Sequence, residues 1–247
     1  MANLFNQTTN KQGLIVYGGE ASSDFGMVIA EAPAFTFPTR KQTIYTVPGR
    51  NGDIIIQQDA WNDVPKNYNV WLTKTGEDDL ATSVSELMAW LNSKKGYQRL
   101  EDNFEPEVFR LAYYSGGASL ANHLTQYGEG TLAFTCRAER FYKSGEQELT
   151  VSNGDKINNP TRYASKPLIH IEGSGSVTIS FGGSTMSATL TDYINIDCES
   201  MNAYRLPSEN KNDKIGGTFP TLQPGINTIG TTGTVSKVVI TPRYFTI

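Results

Sequence analysis

Little in this 247-residue chain is suited to redox, metal or thiol chemistry, which depends on cysteine and histidine: it has two of each. Charge is also scarce. Asp, Glu, Lys and Arg make up 19% of residues, against roughly 25% in an average globular protein. No run of apolar residues approaches the ~18 that a membrane-spanning helix requires. The start, Met1-Ala2-Asn3-Leu4-Phe5-Asn6, shows no basic segment followed by an apolar one, so no export signal is expected. Basic clusters are missing as well. The residues up to Gly145 carry 13 basic and 16 acidic side chains, and the remainder 8 and 9. With phosphate neutralisation unavailable, sequence-specific nucleic-acid binding is not expected. What remains is glycine, 23 residues, with 12 Tyr and 11 Phe. That composition suits a folded, mostly β protein, long enough for two ordinary domains.

Neither cysteine has a metal-ligand partner nearby. Cys136 and Cys198 each end a stretch of alternating apolar residues, Leu132-Ala133-Phe134-Thr135-Cys136 and Ile194-Asn195-Ile196-Asp197-Cys198, and read as small buried hydrophobes. His123 falls in a loop, Ser119 to His123, and His170 inside the strand Leu168-Ile169-His170-Ile171. No Gly-x-Ser-x-Gly elbow flanks either histidine. Catalysis, a cofactor and a metal are therefore not expected. The acidic group Glu101, Asp102, Glu105 and Glu107 could suggest paired catalytic carboxylates. It is contiguous and has Arg99 and Arg110 beside it, so it reads as a solvated loop.

Short strands dominate the pattern. Gly13 to Tyr17 is followed by a Gly18-Gly19 turn, and Ser22-Ser23-Asp24-Phe25-Gly26 leads into Met27-Val28-Ile29, after which Pro33 and Pro38 break the chain. The clearest hairpin lies between Thr43-Ile44-Tyr45-Thr46-Val47 and Asp53-Ile54-Ile55-Ile56-Gln57. Its tip is Pro48, Gly49, Arg50, Asn51 and Gly52, in which Pro-Gly suits a type II turn and Asn-Gly a primed one. One helix is expected over about 76–95. Thr75 and Asp78 form its capping box, Leu80, Val84, Leu87, Met88 and Leu91 make one apolar face, and Lys94-Lys95-Gly96 ends it. Trp90 beside that face reads as core.

A strand from Gly128 to Tyr142 precedes a polar boundary at Ser144 to Gln147 and Ser152 to Asp155. Beyond it only strands are suggested, at the ~8–12-residue spacing of an antiparallel sandwich. The expected organisation is thus a β domain with one helix over 1–145 and a β-sandwich over 146–247.

The order of these motifs resembles the distal tail protein family of bacteriophages with long non-contractile tails, and of related prophages. The resemblance is carried by Ser23-Asp24-Phe25-Gly26, Val47 to Gly52, the helix around Leu80 to Leu91, Gly96-Tyr97-Gln98-Arg99-Leu100 and Asn103-Phe104-Glu105-Pro106. It continues through Ala164 to Gly175, Tyr193 to Glu199 and Phe219 to Asn227. The resemblance implies a structural virion protein at the tail tip, assembled in the host bacterial cytoplasm. Six copies would close into a tail-hub ring through N-terminal domains that each project a hairpin. The tail tube protein would bind one side and a tail-associated or tail-tip protein the other, with DNA passing through the channel during ejection. The C-terminal domain would be galectin-like, holding receptor-binding or baseplate proteins in some relatives, a role in host attachment. On this reading residues 48–52 are oligomer contacts, with Arg50 pairing with a neighbour's carboxylate. Alternatively, Arg50 is a solvated turn residue. The competing function is a carbohydrate-binding module on the host surface, with Tyr193, Tyr204 and Phe219 stacking on sugar rings.

Overall fold

A computed structural model describes residues 13–73, 79–116, 120–123 and 127–247. The fold is mainly β with one helix among the described residues, and the chain divides into two compact units, one running to Arg140 and the other Phe141–Thr246. No helix among the described residues is long and apolar enough to cross a membrane.

The first unit contains β1 (Ile15–Tyr17), β2 (Glu20–Ala21), β3 (Met27–Ile29), β4 (Arg40–Tyr45), β5 (Ile54–Trp61) and β6 (Val64–Thr73). The helix α1 (Leu80–Ser93) follows, then β7 (Gln98–Asp102), β8 (Val108–Tyr114), β9 (Leu120–His123) and β10 (Tyr127–Tyr142). Its main sheet has the order β2-β1-β7-β8-β10-β6-β3, with β9 also on β10. A bridge from Ile29 back to Gly13 curls the β3 edge toward the entry to β1. Strict alternation builds the inner face. In β6 every second residue, Val64, Lys66, Tyr68, Val70 and Leu72, is buried, and β10 contributes Leu132, Phe134 and Cys136. The helix lays Leu80, Leu87, Trp90 and Leu91 onto this core, where Trp90 stacks on Phe25 at 4.6 Å.

Three expectations require correction here. The helix begins at Leu80 rather than near 76. Its N-cap is Asp79, whose carboxylate accepts a 2.7 Å hydrogen bond from the Thr82 amide. Thr75 and Asp78, the expected capping box, lie outside the described residues. Residues 120–123, expected in a loop, form β9 because their backbone pairs with Gly130 to Tyr127. The acidic group around Asp102 is not a solvated loop, for reasons given below.

The second unit is built from β11 (Leu149–Val151), β12 (Lys156–Asn159), β13 (Leu168–Phe181), β14 (Ser184–Leu190), β15 (Tyr193–Asp197) and β16 (Asn202–Tyr204). It continues with β17 (Ile215–Gly217), β18 (Gly225–Thr228), β19 (Gly230–Thr241) and β20 (Phe245–Thr246). One sheet runs β11-β19-β13-β14-β17, with β15 and β16 continuing from β13, and β12 pairs with β18. Alternate residues of β13, β14, β15 and β19, among them Ile169, Ile171, Ile179, Met186, Ile196 and Ile240, fill its core. Both cysteines are buried and free, as alternation predicts. Burial pushes the Cys136 thiol to about 11 and that of Cys198 to about 12.

Candidate assembly interface

The most unusual surface of the first unit is the hairpin β4–β5, a two-stranded sheet of its own. Its register places Tyr45 opposite Ile54, Ile44 opposite Ile55 and Thr43 opposite Ile56. Residues opposite one another share a face and successive residues alternate. One face therefore carries Tyr45, Ile54, Thr43 and Ile56, and the other carries Ile44 and Ile55. A soluble hairpin would keep one face polar. This one is apolar on both, and every residue of β4 is exposed.

The tip forms one of its two expected turns: Pro48-Gly49 makes its type II turn, whereas Asn51 keeps a negative φ beside Gly52 at φ 82°, so Asn51-Gly52 is not the type I′ turn that Asn-Gly favours. Arg50 N donates to Val47 O at 3.2 Å, with Gly49 at φ 78°, which is the type II turn that Pro48-Gly49 favours. An ideal Cβ on Gly49 would meet nothing within 4 Å, so glycine is needed there for backbone conformation rather than for space. Pro48, Gly49, Arg50, Asn51 and Gly52 are all exposed.

The segment leading into the hairpin adds Phe35, 75% exposed, and Phe37, 86% exposed. Thr36 Oγ1 between them donates to Pro65 O at 2.9 Å, which fastens the segment beside β6. With Ile44, Tyr45, Val47, Ile54, Ile55 and Ile56, these side chains leave on the order of 800 Å² uncovered, at ~150–250 Å² for a large aromatic.

The acidic residues near 102 do something else. Asp102 is 4% exposed, and Lys66 lies 2.8 Å from its Oδ2 and 3.1 Å from Glu105 Oε2. Tyr68 donates its hydroxyl to Asp102 at 2.8 Å, and Asp102 Oδ1 accepts from the amides of Phe104 and Glu105. Arg110 reaches Glu105 at 3.5 Å, and Arg140 also pairs with it. Burial works against both charges. The attraction of Lys66 and its hydrogen bonds nonetheless outweighs that cost, holding Asp102 and Glu105 below the usual carboxylate range. For Tyr68, burial and the neighbouring carboxylate push the hydroxyl far up. With Asp102 and Glu105 paired, the cluster fastens β6, β7, β8 and β10 together, while Glu107 stays exposed as expected of the loop. The expectation of a solvated loop fails for Asp102 and Glu105 because Lys66 and Arg140 are remote in sequence from this group. A signal for it did exist: Lys66 falls on the buried parity of Val64-Pro65-Lys66-Asn67-Tyr68-Asn69-Val70, and a lysine there needs a buried anion.

Among the described residues no group of three His, Cys, Asp or Glu could hold a metal. His170 contacts Asn195 at 2.8 Å and Glu172 at 3.2 Å, within a polar surface row. Of the aromatics considered for sugar stacking, Tyr193 is flanked by His170 at 5.2 Å and by the Arg205 guanidinium at 5.2 Å. Tyr204 of β16 lies opposite Asn195 and so shares the face of Tyr193 on the adjacent strand, whereas Phe219 packs against the core. The three do not form one exposed platform.

Comparison with solved structures gives the fold a precedent. The chain is similar to the crystal structure of the SPP1 Dit (gp 19.1) protein, a paradigm of the hub adsorption apparatus in phages that infect Gram-positive bacteria. The TM-score is 0.71 at 15% identity, covering 95% of this chain and 99% of that one. The expected mainly β fold is thereby established, and it is one that a phage hub protein shares. No family model matches the sequence, and neither does any curated protein.

Proposed function

We propose that this chain is a structural protein of a bacteriophage tail, a distal tail protein whose copies close into a hub ring. The observation that carries this reading is the β4–β5 hairpin with the Phe35–Phe37 segment. Its uncovered area, counted over both faces and the Phe35–Phe37 segment, reaches the ~800 Å² that one partner contributes to a standard interface only if the hairpin is enclosed on both faces. A hairpin with two open edges and two apolar faces is an aggregation hazard in isolation and a connector once covered. One copy's hairpin on a different surface of the next copy is a heterologous contact, which either closes into a ring or grows into a filament. The likeness in fold to a hub protein supports closure, and the family pattern supports six.

In this proposal the hub joins the tail tube protein on one side to the tail-associated or tail-tip protein on the other, at the virion tail tip. DNA leaves through its centre. The tip residues Pro48, Gly49, Arg50, Asn51 and Gly52 lie at the contact, with Arg50 facing a neighbour's carboxylate. Residues 146–247 act as a galectin-like docking domain for receptor-binding or baseplate proteins. At −4 per chain the assembled ring is mildly acidic, so DNA passes without adhering.

The direct test is the assembly state of the purified chain, by light scattering across concentration and by negative-stain microscopy. Six chains of 27.2 kDa give particles of about 163 kDa with a central hole. A strict monomer at every concentration, with or without a tail tube partner, refutes the hub reading.

A further inference from the structure

A ring needs a seat for each hairpin, and the first unit holds a surface whose chemistry fits one. Strand β8 reads Val108-Phe109-Arg110-Leu111-Ala112-Tyr113-Tyr114, and its alternation is inverted. Its one charged residue, Arg110, faces the core and is 7% exposed, tied into the Lys66–Asp102–Glu105 cluster. The opposite face carries Phe109, Leu111 and Tyr113. An antiparallel strand with one wet face shows apolar residues inward and polar ones outward; apolar residues on both faces mark a strand covered on both.

The surface extends beyond β8. Arg99 of β7 lies opposite Leu111, so Tyr97, two residues earlier, shares the outward face. Its ring meets that of Tyr113 edge-on at 5.4 Å, with the two residues 43% and 38% exposed. The Arg99 guanidinium covers Phe109 at 3.7 Å and pairs with Glu101, and Arg137 pairs with Glu139 at 3.1 Å. The charges around the patch are thus neutralised in place, leaving an apolar strip across β7 and β8.

We infer that this outward face, centred on Tyr97, Leu111 and Tyr113, is the seat for the β4–β5 hairpin of a second copy. The inference rests on the ring reading above and adds the receiving surface to it. The occupant is a second copy because the hairpin supplies what the seat lacks: a ribbon with Tyr45, Ile54 and Ile56 on one face, long enough over its paired residues to lie along β8. Two β layers packed this way sit about 10 Å apart with interdigitated side chains. A chain's own hairpin does not cover the seat, since Tyr97 and Tyr113 remain exposed. Its root nevertheless lies beside the seat, because Tyr97 donates its hydroxyl to Asp63, two residues past β5. Each seat therefore adjoins the point where its own hairpin leaves for the next copy, and successive hairpins can follow one another around a closed ring.

The test combines two variants with a photocrosslink in the full-length chain. Tyr113→Glu, which points outward and leaves the core intact, is expected to raise the concentration at which rings dissociate by about tenfold or more, the loss of one aromatic anchor. Its thermal transition falls by only a few degrees, the cost of losing the ring contact with Tyr97. Tyr113→Phe keeps the ring contact and assembles normally. Benzoylphenylalanine placed at position 113 crosslinks to a peptide within residues 40–61 of another copy. If rings form and depend on the hairpin, yet Tyr113→Glu leaves them intact and the crosslink maps elsewhere, the seat is wrong and the ring reading stands. A monomer at every concentration, with no crosslink between copies, overturns both.

Discussion

Replacing Lys66 by Met tests whether the buried ionic cluster holds the first unit together. Met conserves the volume and apolar stem of lysine but removes the cation at 2.8 Å from Asp102 and 3.1 Å from Glu105. Asp102 is then left with Tyr68 and two backbone amides, and Glu105 with Arg110 and Arg140. Removing one partner of a buried ion pair costs about 3–5 kcal/mol, because the remaining charge stays desolvated. In a domain of this size the loss lowers the melting temperature by about 10 °C or more. The pH dependence identifies the cause. In the wild type both carboxyls are held below their usual range, so their contribution is present at neutral pH and lost as pH falls through those depressed values, below about pH 4. In Lys66→Met the largest depressing partner is gone and burial is less fully opposed, so both carboxyls move up, Asp102 more than Glu105, which keeps Arg140 and Arg110, and the variant recovers part of its penalty by binding a proton. The gap between the two proteins, measured by urea denaturation, should therefore be widest near pH 7 and narrow toward pH 4. A gap below about 1 kcal/mol at pH 7, or one constant across that range, would show that Lys66 does not carry the cluster.

Other perturbations separate folding from assembly. Ile55→Asp, on an exposed face of the hairpin, should change chain stability by no more than about 0.5 kcal/mol while abolishing the proposed ring, read by melting and by light scattering in parallel. Cys136 and Cys198, with thiols raised to about 11 and 12, should resist a thiol reagent at pH 8 until the chain is unfolded. Rapid labelling of either in the folded protein would contradict their burial. Gly145→Ala would set a Cβ 2.3 Å from the Tyr244 backbone nitrogen, which cannot yield as a side chain can. A loss of about 1–3 kcal/mol should follow, measured by denaturation, whereas no loss would mean that this turn repacks freely.

Local signals in the sequence reached the hairpin well. Two β-branched arms and Pro-Gly specify the turn whose bond runs from Arg50 N to Val47 O. The helix face was legible from its spacing, but its start was not: Thr75 and Asp78 fit a capping box on paper, whereas Asp79 accepts the amide bond. The ionic cluster was invisible to a local reading because Lys66 and Glu105 are 39 positions apart. Arg99 and Arg110, the visible neighbours, go opposite ways, one outward over Phe109 and the other inward to Glu105. Strand parity decides between them, and parity follows from register, which the turn at 103–107 sets. The exposed apolar faces were the least legible feature. Alternation in β8 and repetition in Ile54-Ile55-Ile56 both read as core, and only the fold shows Tyr113 and the three isoleucines exposed among the described residues.

The two apolar surfaces and the buried cluster form one argument. A β strand whose outward face is reserved for a partner has little apolar pattern left to say which face belongs inside, and β8 shows the problem: Phe109, Leu111 and Tyr113 would serve the core as well as Val108, Ala112 and Tyr114. A one-residue slip would exchange the two faces at modest hydrophobic cost. It would also carry Arg110 out of the cluster and strip Glu105 of a partner, at the cost of an unpaired buried charge. Specificity is the best-attested use of buried polar groups, and the Lys66–Asp102–Glu105–Arg110 cluster supplies it where hydrophobicity cannot. On this view the ionic cluster and the exposed tyrosines are two consequences of one requirement. A strand that must present an apolar face to another molecule is held in register by charge on the face it keeps for itself.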